Sequence, residues 1–132
     1  MDTLRLAIAS NDGLGLNKEH FGDSHYYYIY EVNENDYKFI KRISNQAKNI
    51  IEEKHADPLK AGGVTKVLQE HNIQLVGSGV FGPNIKRINK KFVCILFGKG
   101  QLEDNLSKVV LNFAEINKKW LEGEDRQHLR LD

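Results

Sequence analysis

Leu4-Arg5-Leu6-Ala7-Ile8-Ala9, running directly into Ser10-Asn11-Asp12-Gly13 and soon after into His20-Phe21-Gly22, is the stretch from which the rest of this 132-residue chain is read. A short apolar run followed by turn formers reads as a strand that ends in a loop. In open α/β sheets, ligands collect at loops on the carboxyl ends of strands. A histidine on such a loop, beside an aromatic ring and a glycine, is a candidate soft ligand.

Working outward, His25 to Val32 (HYYYIYEV) is rich in residues that suit a pleated surface, and Asn33-Glu34-Asn35-Asp36 supplies a turn. In Tyr37 to Ile43, strict alternation puts Tyr37, Phe39, Lys41 and Ile43 on one face and Lys38, Ile40 and Arg42 on the other. Neither face is polar throughout, which suits a strand near a sheet edge, paired with its neighbour as an antiparallel hairpin. Residues 44–60 mix charges with few large apolar side chains, and the pattern leaves open either a short helix over 49–55 or a loop.

From Gly62 onward the pattern becomes α/β. Val64, Val67, Leu68 and His71 fall on one helical face, which Asn72 ends, and Ile73 to Gly77 reads as a strand. A glycine-rich turn leads to Pro83, the expected first residue of a short helix with Ile85 and Ile88 inward. Phe92 to Phe97 (FVCILF) is a continuous apolar run, as in a strand covered on both faces. Leu102, Leu106, Val109, Val110, Phe113, Asn117 and Trp120 trace one stripe of a single last helix, with Leu121 beside its end and Gly123 as its stop. Residues 124–132 offer little to bury and are expected to fray, leaving residues 1–123 as one domain.

The order β-β-β-α-β-α-β-α predicts an α/β fold of the ribonuclease-H-like kind: a mixed five-stranded sheet with helices on its faces and the first strand central. That arrangement has one consequence for function. The Asn11 loop and the Gly77–Asn84 turn should meet above the sheet.

Composition narrows the classes. A hydrophobic fraction of 40% and a charged fraction of 28% are those of a globular domain. The net charge of +1 argues against extensive nucleic-acid binding, apart from the local run Lys86-Arg87-Ile88-Asn89-Lys90-Lys91. That run reads as a solvated helix face, which would also attract an anionic cluster or a partner's acidic patch. No apolar run is long enough for a membrane span, and no signal-like segment opens the chain. One cysteine, Cys94, allows no internal disulfide, which fits a cytoplasmic location.

Gly77-Ser78-Gly79-Val80-Phe81-Gly82 has the spacing of a dinucleotide fingerprint, but Pro83 removes a helix-start donor, the helix is short, and no ribose-binding acid follows. Two readings compete with it: a tight turn needing positive φ, or exposed N–H groups that bind phosphate or the sulfides of a metal cluster. Two-metal nuclease chemistry is poorly served, because the central strand has no carboxylate and Asp12 lies in a turn. His20 is either a metal or cluster ligand or a loop histidine bonded to backbone; His25, His55 and His71 are weaker candidates. Cys94 packs as a small hydrophobe unless it faces a cluster. Tyr26, Tyr27, Tyr28 and Tyr30 read mainly as strand and core residues, and only secondarily as a recognition surface.

Three motifs, Ala7-Ile8-Ala9-Ser10-Asn11-Asp12-Gly13, His20-Phe21-Gly22 and Gly79-Val80-Phe81-Gly82-Pro83-Asn84, taken in order and spacing, resemble the dinitrogenase iron–molybdenum cofactor biosynthesis family over roughly residues 4 to 116. The resemblance implies non-catalytic binding or carriage of an iron–sulfur or iron–molybdenum type metallocluster or its precursor, passed to or from a cluster-assembly or acceptor protein. It implies His20 as the metal ligand and a cradle of Ser10, Asn11, Phe21, Gly22, Gly79, Gly82, Pro83 and Asn84. It implies neither a membrane nor a nucleic-acid partner. The alternative function is an anion- or nucleotide-binding regulatory module that uses the 77–84 glycine turn; a divalent-metal hydrolase is a third option.

Overall fold

The computed structural model describes residues 2–45 and 58–131. Residues 49–55, which the sequence leaves open as a short helix or a loop, lie outside the described residues, and His55 with them.

Six strands form one mixed sheet: β1 (Leu4–Ala9), β2 (Tyr26–Val32), β3 (Tyr37–Ser44), β4 (Leu75–Ser78), β5 (Val93–Leu96) and β6 (Leu129–Arg130), in the spatial order β3-β2-β1-β4-β5-β6. β2 runs antiparallel to both β1 and β3, while β4 is parallel to β1, β5 to β4 and β6 to β5. The helices are α1 (Pro58–Glu70), α2 (Ile85–Lys91), α3 (Leu102–Leu111) and α4 (Phe113–Glu122).

Alternation along the central strands sorts the core into two layers. Leu4, Leu6 and Ile8 of β1, with Leu75, Val93 and Ile95, pack under Leu102, Leu106, Val109, Phe113 and Ile116 of α3 and α4. Ala7, Ala9, Val76 and Cys94 point the other way, toward Val64 and Leu68 of α1 and Ile88 of α2. Both faces are dry at the centre, which is why these strands read as apolar runs.

The α1–β4 corner explains why Asn72 stops a helix. Asn72 sits at φ +59, its N–H donates to Gln69 O, and the Ile73 N–H reaches back to Leu68 O. This is a Schellman-type close, with Ile73 and Leu68 in the same buried layer.

Several sequence expectations are corrected. Among the described residues the sheet has six strands instead of five, because residues 129–130 add a parallel edge to β5. The expected frayed tail is docked over its described part: Leu131 N–H donates to Leu96 O, and Arg126 is buried. A charged side chain anchors it, with Arg126 donating to the carbonyls of Lys119, Trp120 and Asn89 at 3.0, 2.9 and 2.8 Å. Hydrophobic periodicity cannot see such a polar anchor.

The last helix is broken at Asn112, whose side chain bonds Lys108 O at 2.8 Å and whose own φ and ψ leave the helical region. Leu121, expected near the core, is exposed, and Ile116 takes the buried position. On β3, Ile29 pairs with Lys41 but Tyr30 pairs with Phe39, so Ile40 is an extra, bulged residue. The bulge puts Tyr37 and the half-exposed Phe39 on the α3 side and Ile40 and Ile43 toward the α1 layer, resolving an alternation that made neither face polar.

Candidate functional site

Parallel pairing of Ile8 with Gly77 brings the carboxyl ends of β1 and β4 side by side. The loops that leave them are bonded to each other: the Phe21 N–H donates to Val80 O at 3.0 Å. The Phe21 and Phe81 rings stack with centroids 5.4 Å apart.

His20 precedes a single 3₁₀ turn, Phe21–Asp23, and its imidazole lies against Gly82: a Cβ there would stand 2.6 Å from Nδ1. Nδ1 also faces Asp23 Oδ2 at 3.9 Å, and 42% of the His20 side chain is open to solvent. Beneath it, Phe21 is fully buried, and its carbonyl accepts the Tyr27 hydroxyl at 2.7 Å. Asn45 completes the support by donating to Gly22 O and Ser24 O at 2.9 and 2.8 Å. The His-Phe-Gly turn is therefore a rigid shelf.

The glycines of the 77–82 turn are explained by close approach. None has positive φ, so the expectation of a left-handed turn is corrected. Gly79 admits Gly98 O and Asn17 O, which a Cβ would meet at 2.8 and 3.3 Å, and Gly82 admits the imidazole. The N–H groups of Gly79, Phe81 and Gly82 donate to no protein group among the described residues. Unpaired N–H groups gathered in a turn favour an anion or a sulfide.

Pro83 and Asn84 form a turn closed by Ile85 N–H to Gly82 O, so α2 begins at Ile85 and not at Pro83. Asn84 and Asn17 each keep a buried Oδ1 with no partner among the described residues.

The other expected residues divide. Asn11 is exposed at the rim, donating to Glu19 and accepting the His25 N–H. Ser10 is completely buried and bonds Gly15 O at 2.6 Å, so it shapes the loop without facing its mouth. Asp12 accepts the N–H groups of Leu14 and Gly15, which hold its carboxyl below the ordinary carboxylate value. His71 lies at the far end of α1, its carbonyl bonded by Arg5. Tyr30, Tyr37 and Phe39 help line a groove of about 590 Å³ on the opposite sheet face from Phe21.

A third loop, 97–101, was not anticipated. Gly98 and Gly100 take positive φ, and the Gly15–Gln101 bridge ties this loop to the first. The Gly98-Lys99-Gly100 spacing was the available signal.

Cys94 is fully buried in the α1 layer, and burial pushes its thiol well above the ordinary range. It cannot reach the mouth of the site. Native protein should leave a thiol reagent such as DTNB unreacted until denaturant exposes Cys94; rapid native labelling would contradict this placement.

The family model for the dinitrogenase iron-molybdenum cofactor matches residues 2–112. The chain belongs to that family. The matched span takes in the first two loops, the third loop and all of α3, so the whole rim lies within the dinitrogenase iron-molybdenum cofactor region. No curated protein matches the chain. Among the described residues, no three His, Cys, Asp or Glu side chains converge as a metal site, and no helix is long and apolar enough to cross a membrane.

Proposed function

We propose that this protein binds an iron–sulfur or iron–molybdenum type metallocluster, or a precursor of one, and carries it between cluster-assembly or acceptor proteins without catalysing a reaction. The carrying observation is the half-exposed His20 ring laid against Gly82, in a turn whose Gly79, Phe81 and Gly82 N–H groups have no acceptor among the described residues. Nδ1 is turned toward Gly82 and Asp23, which makes Nε2 the coordinating atom. The free N–H groups would donate to cluster sulfides and offset their negative charge. A single imidazole with a backbone cradle suits a cargo that must leave again, unlike a closed ligand set. In this reading Asn11, Phe21, Gly22, Gly79, Gly82, Pro83 and Asn84 form the cradle wall and Ser10 its buttress. The strand order β3-β2-β1-β4-β5 supports a ribonuclease-H-like sheet with β6 appended. The cytoplasm, where iron–sulfur assembly is shielded from oxidation, is the location this reading expects.

Anaerobic reconstitution with iron and sulfide tests it. Wild-type protein should gain visible cluster absorption, and His20→Ala should weaken binding by about tenfold or more, the loss expected on removing about 1.4 kcal/mol of ligation. Equal absorption and affinity in His20→Ala would remove His20 as ligand. The same N–H groups favour a second reading as an anion- or nucleotide-binding module. A large thermal shift with nucleotide, and none with cluster precursors, would select it.

A further inference from the structure

The helix that follows the cradle breaks a local rule. Of the seven residues of α2, Ile88 and Asn89 are buried, while Lys86, Arg87, Lys90 and Lys91 all face outward. Lys86/Lys90 and Arg87/Lys91 are like-charged pairs at i,i+4, which weaken a helix, and Lys86 and Arg87 stand at the end where the helix dipole disfavours cations. None of the four makes an ion pair among the described residues. Glu124 and Asp125 lie on the 3₁₀ turn packed against α2, and neither forms an ion pair with the four cations among the described residues. Four of the chain's nineteen Lys and Arg residues stand on this one seven-residue helix, which carries no acid. Positive charge is locally dense on this helix, and local stability gives no reason for it.

We propose that the outward face of α2 is the docking surface for an acidic patch on the protein that delivers or receives the cargo. This rests on the carrier reading and names the chemistry of its partner. Position favours a protein over the cargo itself. Lys86 follows Asn84 by two residues, but Lys91 stands about 7.5 Å further along the helix axis, outside the cradle. A transfer partner must sit over the mouth that His20 and Gly82 form, and α2 is the element beside it. A cationic face there steers an acidic surface into register and speeds encounter.

The test uses the full chain and a labelled glutamate-rich peptide of about twelve residues as the probe, a length that spans the helix face. Binding is followed by anisotropy and by amide chemical shifts. The wild type should bind the peptide with shifts centred on residues 85–91. K86Q/R87Q/K90Q/K91Q should weaken binding by about tenfold, while K38Q/K41Q/K108Q/K118Q, which loses the same charge elsewhere, should stay within about twofold. If the quadruple variant fails to fold, K86Q/R87Q should show a smaller loss of the same kind.

Equal weakening in both quadruple variants, or shifts away from α2, overturns the proposal. Tighter binding of a DNA duplex of equal charge would make this a nucleic-acid face and overturn it as well. So would low-salt self-association that the α2 variant abolishes. Iron–sulfide reconstitution separates the two ideas: the α2 variant should keep the wild-type absorption. If the wild type itself gains none, the carrier reading fails whatever the peptide does.

Discussion

Gly77→Ala should lower stability by about 3 kcal/mol, the upper part of the range for overpacking a core. For a chain of this size that is a fall in midpoint of roughly 9–15 °C. A Cβ at this position would stand 2.4 Å from Cε2 of Phe97 and 3.2 Å from its Cζ. The ring is buried in the α3 layer, so it can turn aside only by displacing packed neighbours. Gly77 also pairs with Ile8 on one side and Ile95 on the other, so the backbone cannot retreat. Phe97→Leu shortens the offending side chain, and Gly77→Ala in that background should cost less than about 1 kcal/mol. A double-mutant cycle by urea denaturation measures that coupling directly. A Gly77→Ala variant within about 0.5 kcal/mol of wild type would show that the strand ends can shift and that the site above them is not rigidly based.

Arg126→Met should cost about 2–4 kcal/mol and release the end of the chain. Arg126 is 6% exposed, and its guanidinium donates to three carbonyls on two different helices, while its carbon lies 5.0 Å from the Trp120 ring centroid. A hydrogen bond from a charged donor contributes about 1.5–3 kcal/mol, and methionine keeps the bulk while leaving the Lys119 and Asn89 carbonyls without this donor. The loss should be local first. In hydrogen exchange, the amides of residues 129–131 should lose protection while those of β1 and β4 keep theirs. Unchanged protection at Leu131 would mean that β6 holds by its own pairing and that Arg126 is not its anchor. The same contact bears on function, because Asn89 belongs to α2 and α2 begins where the cradle turn ends.

Hydrophobic pattern made most of the strands legible. The runs Leu4–Ala9, Ile73–Gly77 and Phe92–Phe97 are apolar because both sides of the sheet centre are covered, and a run of that kind needs no partner information to be seen. The meeting of the first loop with the glycine turn was legible too, since it follows from placing β1 next to β4. What escaped is polar or geometric. The Arg126 anchor, the Asn112 break and the bulge at Ile40 each depend on one side chain or one extra residue meeting a distant carbonyl or neighbouring strand.

The candidate site divides in the same way. The residues of His20-Phe21-Gly22 and Gly79–Asn84 could be named from their order along the chain, because turn formers after apolar strands mark a loop wherever they occur. Their roles could not. Ser10 and Asn11 are adjacent, yet one is sealed under the loop and the other stands at its rim. Gly82 looks like any turn glycine until the imidazole is found where its side chain would be. Composition and periodicity determine which segments must be buried, since the hydrophobic effect depends on area and not on direction. Which atom faces which is directional, and was decided only when the carboxyl ends of three strands brought their loops into contact.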